Sequence, residues 1–355
     1  MKNYQDLMKE KFEKLKAQKD VLILSIESSC DETAIAIIKN GREVLANMVS
    51  SQIEIHRLFG GVVPEVASRN HILAISNLYE EALKQAKIKA SDLDAIAVTY
   101  GAGLMGALLV GVNFAKGLAY SLNLPLIAVS HIHGHIAANY ISHIELEPPF
   151  VCLMVSGGHT AILKVEDYCK IELIGSTVDD AAGEAFDKVA RSLGLPYPGG
   201  PEIDKLAKIG ENNIKFTVSN SLRDSENFSF SGIKTAVINY IHNKEQKGEE
   251  IVKENVARSF EEAVTDELVN KTFRAIKSTG LDKLVIAGGV GANSMLQAKF
   301  REHGEKNGVK VFAPVLKYCT DNAAMIGSMA YYYLKNGKGL ADLTLSAKPT
   351  VKIDC

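Results

Sequence analysis

Two histidines one helical turn apart are the residues of this chain best suited to metal chemistry. His131 and His135 follow an apolar run at 125–130 that is typical of a buried strand. The i, i+4 spacing places both imidazoles on one helix face with their Cβ atoms roughly 6 Å apart, close enough to share a metal ion. His133 lies between them but points away around the helix. Because isolated pairs of this kind are more often simply half-buried or surface histidines, the surrounding elements decide the interpretation.

The composition indicates a protein of two domains without a strong overall charge. The chain has 355 residues, and a single hydrophobic core rarely grows beyond about 250–300 residues. The formal net charge of −2 provides no strong field that would attract nucleic acid. A nucleic-acid substrate would therefore need a local basic surface or a partner protein.

The cysteines and the apolar segments predict a cytoplasmic protein. The cysteines are odd in number and widely spread, without a CxxC pair, which favours a reducing compartment over a disulfide framework or a structural zinc site. No apolar run reaches the ~18 residues of a membrane-spanning helix, and the N-terminus lacks the core of a signal peptide. The five cysteines are Cys30, Cys152, Cys169, Cys319 and Cys355.

One order of strands and helices occurs twice, which predicts an α/β protein built from two lobes. Each copy reads as three strands, a helix or insertion, a strand, a helix, a strand and a final helix. Two such units imply mixed sheets that are covered by helices and face one another across a cleft. The predicted strands are 21–27, 33–38, 43–49, 95–100 and 125–130 in the first copy, and 150–155, 160–165, 171–176, 283–287 and 309–313 in the second.

The repeat also predicts the domain boundaries. We expect a charged N-terminal extension at 1–20, a first lobe at 21–145, a second lobe at 146–336 with an insertion at 177–281, and a C-terminal tail at 337–355. The extension is rich in Lys and Glu and reads as a solvated helix. Its one weak apolar face leaves a partner contact open; this face consists of Leu7, Met8, Phe12 and Leu15.

The duplication supplies a third candidate metal ligand. Asp321 follows the fifth strand of the second copy, as the histidine pair follows the fifth strand of the first. Pseudo-symmetry would bring the three side chains to opposite walls of one cleft. Two histidines and one aspartate with open coordination positions are typical of a catalytic rather than a structural metal site.

Glycine-rich turns predict a nucleotide beside this site. The turns at 28–33 and 156–160 occupy matching places in the two copies, and backbone amides in such turns can bind a phosphate. Each turn alone would be an ordinary hairpin; as a pair beside a metal they favour a nucleotide cleft. A third turn at 288–293 leads into a helix, whose N-terminal amides suit an anion or a ribose. The GxxxxGK[ST] P-loop pattern is absent.

Polar clusters in the insertion add candidate ligand contacts. Asp187 and Asp204 could accept hydrogen bonds from ribose hydroxyls, whereas Asp179 and Asp180 are better suited to capping the helix that begins there. The segment 228–234 combines aromatic, hydroxyl and cationic side chains, which suits stacking on a base and holding a phosphate. Core packing is the alternative for its two phenylalanines.

Seven motifs follow one another in order over about residues 21–335. They are IESSCDET at 26–33, GGVVPE at 60–65, VSGGHT at 155–160, DDAAGEAFDK at 179–188, YPGGP at 197–201, FSFSGIK at 228–234 and TDNAA at 320–324. Together they resemble one family, the bacterial tRNA adenosine threonylcarbamoyltransferases (TsaD). The resemblance implies a duplicated actin-like ATPase (RNase H-like) fold with two lobes around a central cleft. Minor departures are Ala102, where the family commonly has Pro, and Ser28, where Thr is usual.

The resemblance implies a reaction and its participants. The threonylcarbamoyl group of threonylcarbamoyl-AMP would pass to N6 of adenosine 37 in tRNAs that read codons beginning with A, forming t6A and releasing AMP. His131, His135 and Asp321 match the ligands of one divalent metal ion, usually Fe²⁺, with Zn²⁺ possible. The expected partners are tRNA, a paralogous actin-like subunit and a small P-loop ATPase. The positions that match adenylate contacts are Met154, Val155, Ser156, Gly157, Gly158, Asp187, Gly200, Asp204 and Asn293.

The sequence suggests two candidates for the proton acceptor and two sources of tRNA affinity. Asp31 is the candidate general base, with a phosphate oxygen of the donor as the alternative. Because the net charge is near zero, tRNA affinity is expected to depend on partner proteins and on a local lysine surface. The lysines of that surface are Lys234, Lys244 and Lys247.

Three other functions compete with the transferase. An actin-like-fold phosphotransferase would bind Mg²⁺ through carboxylates and release ADP, so a histidine pair is the wrong ligand set. A metallopeptidase would carry HExxH, but Ile132 stands where its glutamate is required. A non-catalytic ATP-binding subunit would have no need of both histidines and Asp321.

Overall fold

Two mixed β-sheets, one mainly from each half of the chain, form the framework of the protein. The computed structural model describes residues 4–216 and 222–354; Cys355, three residues of the predicted extension and five of the insertion lie outside these ranges. The first sheet has the strand order β11-β5-β4-β1-β2-β3. Its strands are β1 (Leu22–Glu27), β2 (Glu32–Lys39), β3 (Glu43–Ser51), β4 (Ala95–Gly101), β5 (Leu126–Ser130) and β11 (Leu340–Ala341).

The second sheet repeats this arrangement with the order β10-β9-β6-β7-β8. In both sheets the first strand of the copy pairs antiparallel with the second and parallel with the fourth. The predicted duplication therefore matches the observed topology. The strands of the second sheet are β6 (Phe150–Val155), β7 (Thr160–Asp167), β8 (Lys170–Ser176), β9 (Lys283–Ala287) and β10 (Lys310–Phe312).

Eleven helices within the described residues cover the sheets. Because helices lie on both faces, the central strands read as continuous apolar runs: all six residues of β6 are buried, as are five of six in β1. The helices are α1 (Tyr4–Ala17), α2 (Ile53–Arg57), α3 (Pro64–Ala86), α4 (Met105–Leu122), α5 (His131–Ser142), α6 (Ala182–Ser192), α7 (Gly199–Ala207), α8 (Ser231–Lys247), α9 (Lys253–Thr279), α10 (Ser294–Asn307) and α11 (Ala323–Lys335).

Two helices, α5 and α11, connect the two halves. Helix α5 contacts β6 and β9 of the second sheet as well as β4 and β5 of the first, and it packs along α11. Helix α11 returns from the second half of the chain to cover β1 and β2. A Cβ on Gly134 would lie 2.6 Å from Ile326 Cδ1, so glycine at this position is what allows α5 and α11 to approach so closely.

The C-terminal tail is part of the first sheet. Its strand β11 pairs antiparallel with β5. Beyond it, Lys348 N donates to Tyr100 O at 2.8 Å, and Gly103 N donates to Pro349 O at 3.0 Å. The tail therefore lies along the segment that connects β4 to α4.

The solvated helix expected for residues 1–20 is wrong. Met8, Phe12 and Leu15 are buried, and α1 packs on α11. Lys335 Nζ donates to the carbonyl oxygen of Gln18 at 2.6 Å. The apolar face noticed in the sequence thus has its partner within the same chain.

Helix α4 is, among the described residues, the one helix that is long and apolar enough to span a membrane by length and composition. One such helix is weak evidence, because the core helix of a water-soluble protein passes the same test. The buried side of α4 includes Ala107, Val112 and Ala115, and the helix contacts β4 and α3. With 33% of its residues buried, α4 packs one side against these neighbours.

Candidate metal centre

The histidine pair begins helix α5 at the carboxyl end of the first sheet. Strands β1, β4 and β5 are parallel, so their carboxyl ends meet at one edge, where α/β proteins commonly bind ligands. His131 and His135 are both buried, and their Nε2 atoms lie 3.1 Å apart. His133 points elsewhere, towards Tyr333 Oη and the carbonyl of Ile353.

Asp321 completes a cluster of three converging groups. Its Oδ1 lies 3.2 Å from His135 Nε2 and 3.5 Å from His131 Nε2. The next residue, Asn322, caps α11 by accepting a hydrogen bond from Met325 N at 3.0 Å, which fixes the chain beside Asp321. Residues 190 positions apart in the sequence are thus held together by the packing of α5 against α11.

Glu27 orients His131 from behind. The fully buried Glu27 carboxylate accepts a hydrogen bond from His131 Nδ1 at 3.1 Å, which leaves Nε2 facing the cluster. Thr99 Oγ1 and Ser29 N donate to the same carboxylate at 2.6 Å and 2.5 Å. A carboxylate that holds the far nitrogen of a ligand histidine is a common feature of metal sites.

The charges of the cluster are strongly coupled. Burial opposes a positive charge on His131, but Asp321 and Glu27 outweigh it and raise the pKa of His131 to about 9. Burial also opposes the negative charge of Asp321, yet His131 and His135 lower the pKa of Asp321 to about 2. The positive charge of protonated His131 therefore balances the negative charge of Asp321. A bound metal cation would balance the same charge.

The separations of the donor atoms fit a divalent metal ion. Ligand atoms at about 2.0–2.2 Å from an ion, with angles of 90–110° between them, lie roughly 3.0–3.5 Å apart. The three observed separations fall in this range, and one ligand atom from each of the three side chains lies within 4.8 Å of the other two. Two imidazoles and one carboxylate accept iron, zinc or manganese.

Two titratable groups beside the cluster were missed by the sequence analysis. Burial, His131 and His135 together lower the pKa of His159, on the β6–β7 turn, to about 4. Burial, Asp321 and Asp31 raise the pKa of Glu32 to about 9. Both residues lie inside motifs quoted above, so their positions were available but their orientation was not.

Asp31 lies on the same side of the cleft. It is 6% exposed, and Tyr197 Oη lies 3.5 Å from its Oδ2. Asp31 and Asp321 both help to raise the pKa of Glu32, and Asp31 is not one of the three converging side chains. The position is compatible with a proton acceptor.

The predicted phosphate turn is open on its glycine side. Gly157 and Gly158 are exposed, and a Cβ on either would meet nothing within 4 Å. The turn is held by Ser156 N, which donates to His159 O at 2.8 Å. Met154 and Val155 have fully buried side chains, so only their backbone can contact a ligand.

The remaining predicted adenylate contacts form a second group around helices α7 and α10. Asp187 Oδ1 accepts a hydrogen bond from Gly199 N at 2.7 Å, next to Gly200. Asp204 Oδ1 accepts from Ser294 N at 3.0 Å, and Asn293 caps α10 through Leu296 N at 2.8 Å.

Glu261 belongs to this second group and was also missed. Asn293 Nδ2 donates to Glu261 Oε1 at 2.5 Å. Burial is the main cause that raises the pKa of Glu261 to about 7. Nothing in the apolar pattern of α9 marks this glutamate as buried.

The stacking role considered for segment 228–234 is wrong. Phe228 and Phe230 are both fully buried and stack on each other with ring centroids 5.8 Å apart. Lys234 is ion-paired with Asp180. Asp179 does cap a helix, but it caps α8, by accepting from Phe230 N at 2.8 Å. The aromatic side chains form part of the core between the insertion helices and the second sheet.

The lysine surface predicted on α8 is partly neutralised. Besides Lys234, Lys244 Nζ lies 2.5 Å from Glu249. Lys247 is exposed in the last turn of the helix. An RNA surface is therefore better sought elsewhere.

Comparison with known proteins gives one consistent family. The family model described as "TsaD: tRNA N6-adenosine threonylcarbamoyltransferase" matches residues 43–328. The tRNA N6-adenosine threonylcarbamoyltransferase of Clostridium perfringens is 59% identical over 333 residues, covering 94% of this chain and 98% of that protein. The enzyme of the same name from Clostridioides difficile is 54% identical over 336 residues, covering 94% and 99%.

Solved structures support the fold. Full-length HypF in its phosphate- and nucleotide-bound form is similar with a TM-score of 0.60 and 17% identity, covering 90% of this chain and 47% of that one. Component A of (R)-2-hydroxyglutaryl-CoA dehydratase from Acidaminococcus fermentans gives a TM-score of 0.53 with 15% identity, covering 88% and 99%. The α/β fold of duplicated actin-like lobes is thereby confirmed.

Metal binding should release a proton from the cluster. At pH 7 the raised pKa of His131, about 9, keeps its imidazole protonated, and a metal ion binds only the neutral ring. Titration calorimetry of metal-free protein with Zn²⁺, in buffers of different ionisation enthalpy, should show roughly one proton released per ion. The affinity should rise about tenfold per pH unit from pH 7 towards 9.

A His242→Ala variant, changed at an exposed histidine of α8, should release the same proton. Heats that do not depend on the buffer at pH 7 would show that no proton leaves His131 and would contradict this charge balance.

Proposed function

Because this chain belongs to the TsaD family of tRNA N6-adenosine threonylcarbamoyltransferases, we propose that His131, His135 and Asp321 hold the divalent metal ion of that enzyme. The protein transfers threonylcarbamoyl from threonylcarbamoyl-AMP to N6 of adenosine 37 in tRNAs that read codons beginning with A. The products are t6A and AMP. A phosphotransferase or ATP-binding subunit is not favoured, because the family model and the close relatives agree on the transferase.

The convergence of the three ligand atoms within 4.8 Å carries this proposal. The chemistry that a divalent ion supplies in such a site is stabilisation of negative charge on the oxygens of the donor. Iron is our first choice and zinc the alternative, since the donor set accepts both. Glu27 keeps His131 in the tautomer that presents Nε2.

The chain's own residues position the donor. The exocyclic amine of adenine is a poor nucleophile because its lone pair is delocalised into the ring, so the reaction needs an activated donor and accurate placement. We assign the phosphate to the Ser156–Gly158 amides, with the backbone of Met154 and Val155 beside them. The remaining contacts, on the ribose side, are assigned to Asp187, Gly200, Asp204 and Asn293.

We propose that Asp31 accepts the proton that the adenine amine loses. Its buried carboxylate lies beside the cluster and close to Tyr197, where it can accept a proton without reaching into solvent. Because the target adenosine belongs to a single-stranded loop, no duplex has to be opened. A phosphate oxygen of the donor is the alternative acceptor.

We propose that the protein works in the cytoplasm with a paralogous actin-like subunit and a small P-loop ATPase. An exposed apolar surface on α3 and α4 suits the first of these partners. Ile72 and Leu73 are 62% and 74% exposed, and Leu109 is 38% exposed. Contacts between Ser68 and Gly106 and between Tyr79 and Phe114 show that the two helices run side by side, with these apolar residues between the two contacts.

Replacing one metal ligand should stop the transfer. His135→Ala removes a buried imidazole of the cluster, and we expect the rate of t6A formation to fall at least about 100-fold, since even outer partners of metal ligands contribute 10–100-fold. The rate is measured by mass spectrometry of tRNA nucleosides, and bound metal by elemental analysis. His242→Ala is the matched control; a His135→Ala protein with the wild-type rate contradicts the metal role.

Replacing Asp31 should show which of the two candidates, Asp31 or the donor phosphate, accepts the proton. With Asp31→Asn we expect kcat for t6A formation to fall roughly 100-fold, the usual contribution of a general base, while KM for threonylcarbamoyl-AMP stays the same. Tyr197→Phe, which removes only the long contact to Asp31, should have little effect on kcat. An unchanged kcat for Asp31→Asn would assign the proton to the donor phosphate.

Charging the α3–α4 surface should disrupt assembly. Ile72→Glu combined with Leu73→Glu would bury two carboxylates in an apolar interface, which is unfavourable. We expect the variant to lose copurification with the paralogous subunit. Ile209→Glu, at an exposed apolar residue distant in sequence, is the control, and full copurification of the double variant would contradict this placement.

A further inference from the structure

A hydrogen-bonded turn follows α2 and presents two apolar side chains to solvent. Leu58 N, Phe59 N and Gly60 N donate to the carbonyl oxygens three residues earlier at 3.2, 3.0 and 3.1 Å. Gly61 N donates to His56 O at 3.2 Å. Leu58 is 84% exposed and Phe59 58% exposed. The backbone of the turn is therefore hydrogen-bonded while the ring of Phe59 remains accessible.

This turn, residues 57–61, touches the second half of the chain at two points. Arg57 Nε donates to Tyr197 O at 3.0 Å, and Arg191 on α6 donates to Gly60 O. A Cβ on Gly61 would lie 3.0 Å from Arg191 Nη2, so glycine here leaves room for the guanidinium.

The turn lies at the edge of the reaction cleft. Tyr197 contacts the turn through its carbonyl oxygen and Asp31 through its hydroxyl, 3.5 Å from Oδ2. The same loop continues to Gly199, which is bonded to Asp187. Tyr197 thus links the turn to the proposed proton acceptor, Asp31, and its loop leads on to the proposed adenylate contacts.

Two arginines lie at the turn, Arg57 within it and Arg191 beside it. Arg57 forms an ion pair with Glu54 at 2.9 Å. Arg191 is exposed; its guanidinium donates to Gly60 O, and its positive charge favours the charged form of the Asp187 carboxylate. An exposed aromatic ring next to an exposed guanidinium is a combination that binds single-stranded RNA, by stacking on a base and by pairing with a phosphate.

We propose that Phe59 and Arg191 bind the anticodon loop of the substrate tRNA. Phe59 stacks on a base next to the target adenosine, and Arg191 faces a neighbouring phosphate. This inference rests on the transferase function and adds the docking surface that the lysines of α8 do not supply. RNA is favoured over a protein here, because the exposed ring of Phe59 stands beside an arginine at the edge of the cleft, where the target base has to enter.

The test measures RNA binding and catalysis with the full-length protein and its partner subunits. Fluorescence anisotropy with an anticodon stem–loop RNA should show about tenfold weaker binding for Phe59→Ala, within the range for loss of one stacked base. Phe59→Trp should restore it, and Leu58→Ala should have a smaller effect. KM for tRNA should rise with Phe59→Ala while KM for threonylcarbamoyl-AMP stays the same.

Arg191→Gln tests the phosphate contact separately. The slope of log affinity against log salt concentration should decrease by about 0.7, the value for one phosphate on a single strand. Arg301→Gln, at an exposed arginine of α10, is the control for a general loss of positive charge.

The outcomes are distinct. Wild-type RNA affinity in Phe59→Ala overturns the inference, as does a loss of copurification with a protein partner at unchanged RNA affinity. A wild-type protein that binds the stem–loop through Phe59 but forms no t6A contradicts the transferase function and leaves the RNA surface standing.

Discussion

The packing of α5 against α11 is the constraint on which the candidate site depends. The two imidazoles lie on α5, and Asp321 lies just before α11. Gly134, between the two histidines, gives α11 the space to approach. Without this contact the buried imidazoles and the Asp321 carboxylate would lose their charge partners, and a buried charge without a partner costs several kcal/mol. Fold and site are therefore stabilised by the same contact.

Much of this arrangement follows from patterns in the sequence. The strands were predictable because buried strands such as β1 and β6 are continuous apolar runs, and their observed ends differ from the predicted ones by only a few residues. The approach of Asp321 to the histidines followed from the duplication, since equivalent strand ends of the two copies face one cleft. Local patterns and topology were sufficient for these features.

The features that the sequence did not reveal depend on the direction in which side chains point. Glu27 ends an apolar strand and His159 sits in a turn, and neither position has a periodicity that shows which way the side chain points. Phe228 and Phe230 looked like a stacking surface because composition does not distinguish an exposed ring from a buried one. The apolar face of α1 was visible, but its partner, α11, is more than 300 residues away.

The two halves are held very unequally at the two sides of the cleft. On the connecting side, Arg42 donates to Leu146 O and to the hydroxyl of Tyr332 in the second lobe, and to three carbonyl oxygens at the end of the first, around a core that both lobes share. At the mouth, the turn at 57–61 contributes only two hydrogen bonds from partly exposed arginines, each worth about 1 kcal/mol. Opening for a nucleotide would therefore break the mouth contacts first, and RNA bound at Phe59 and Arg191 would act on the same turn that closes the cleft.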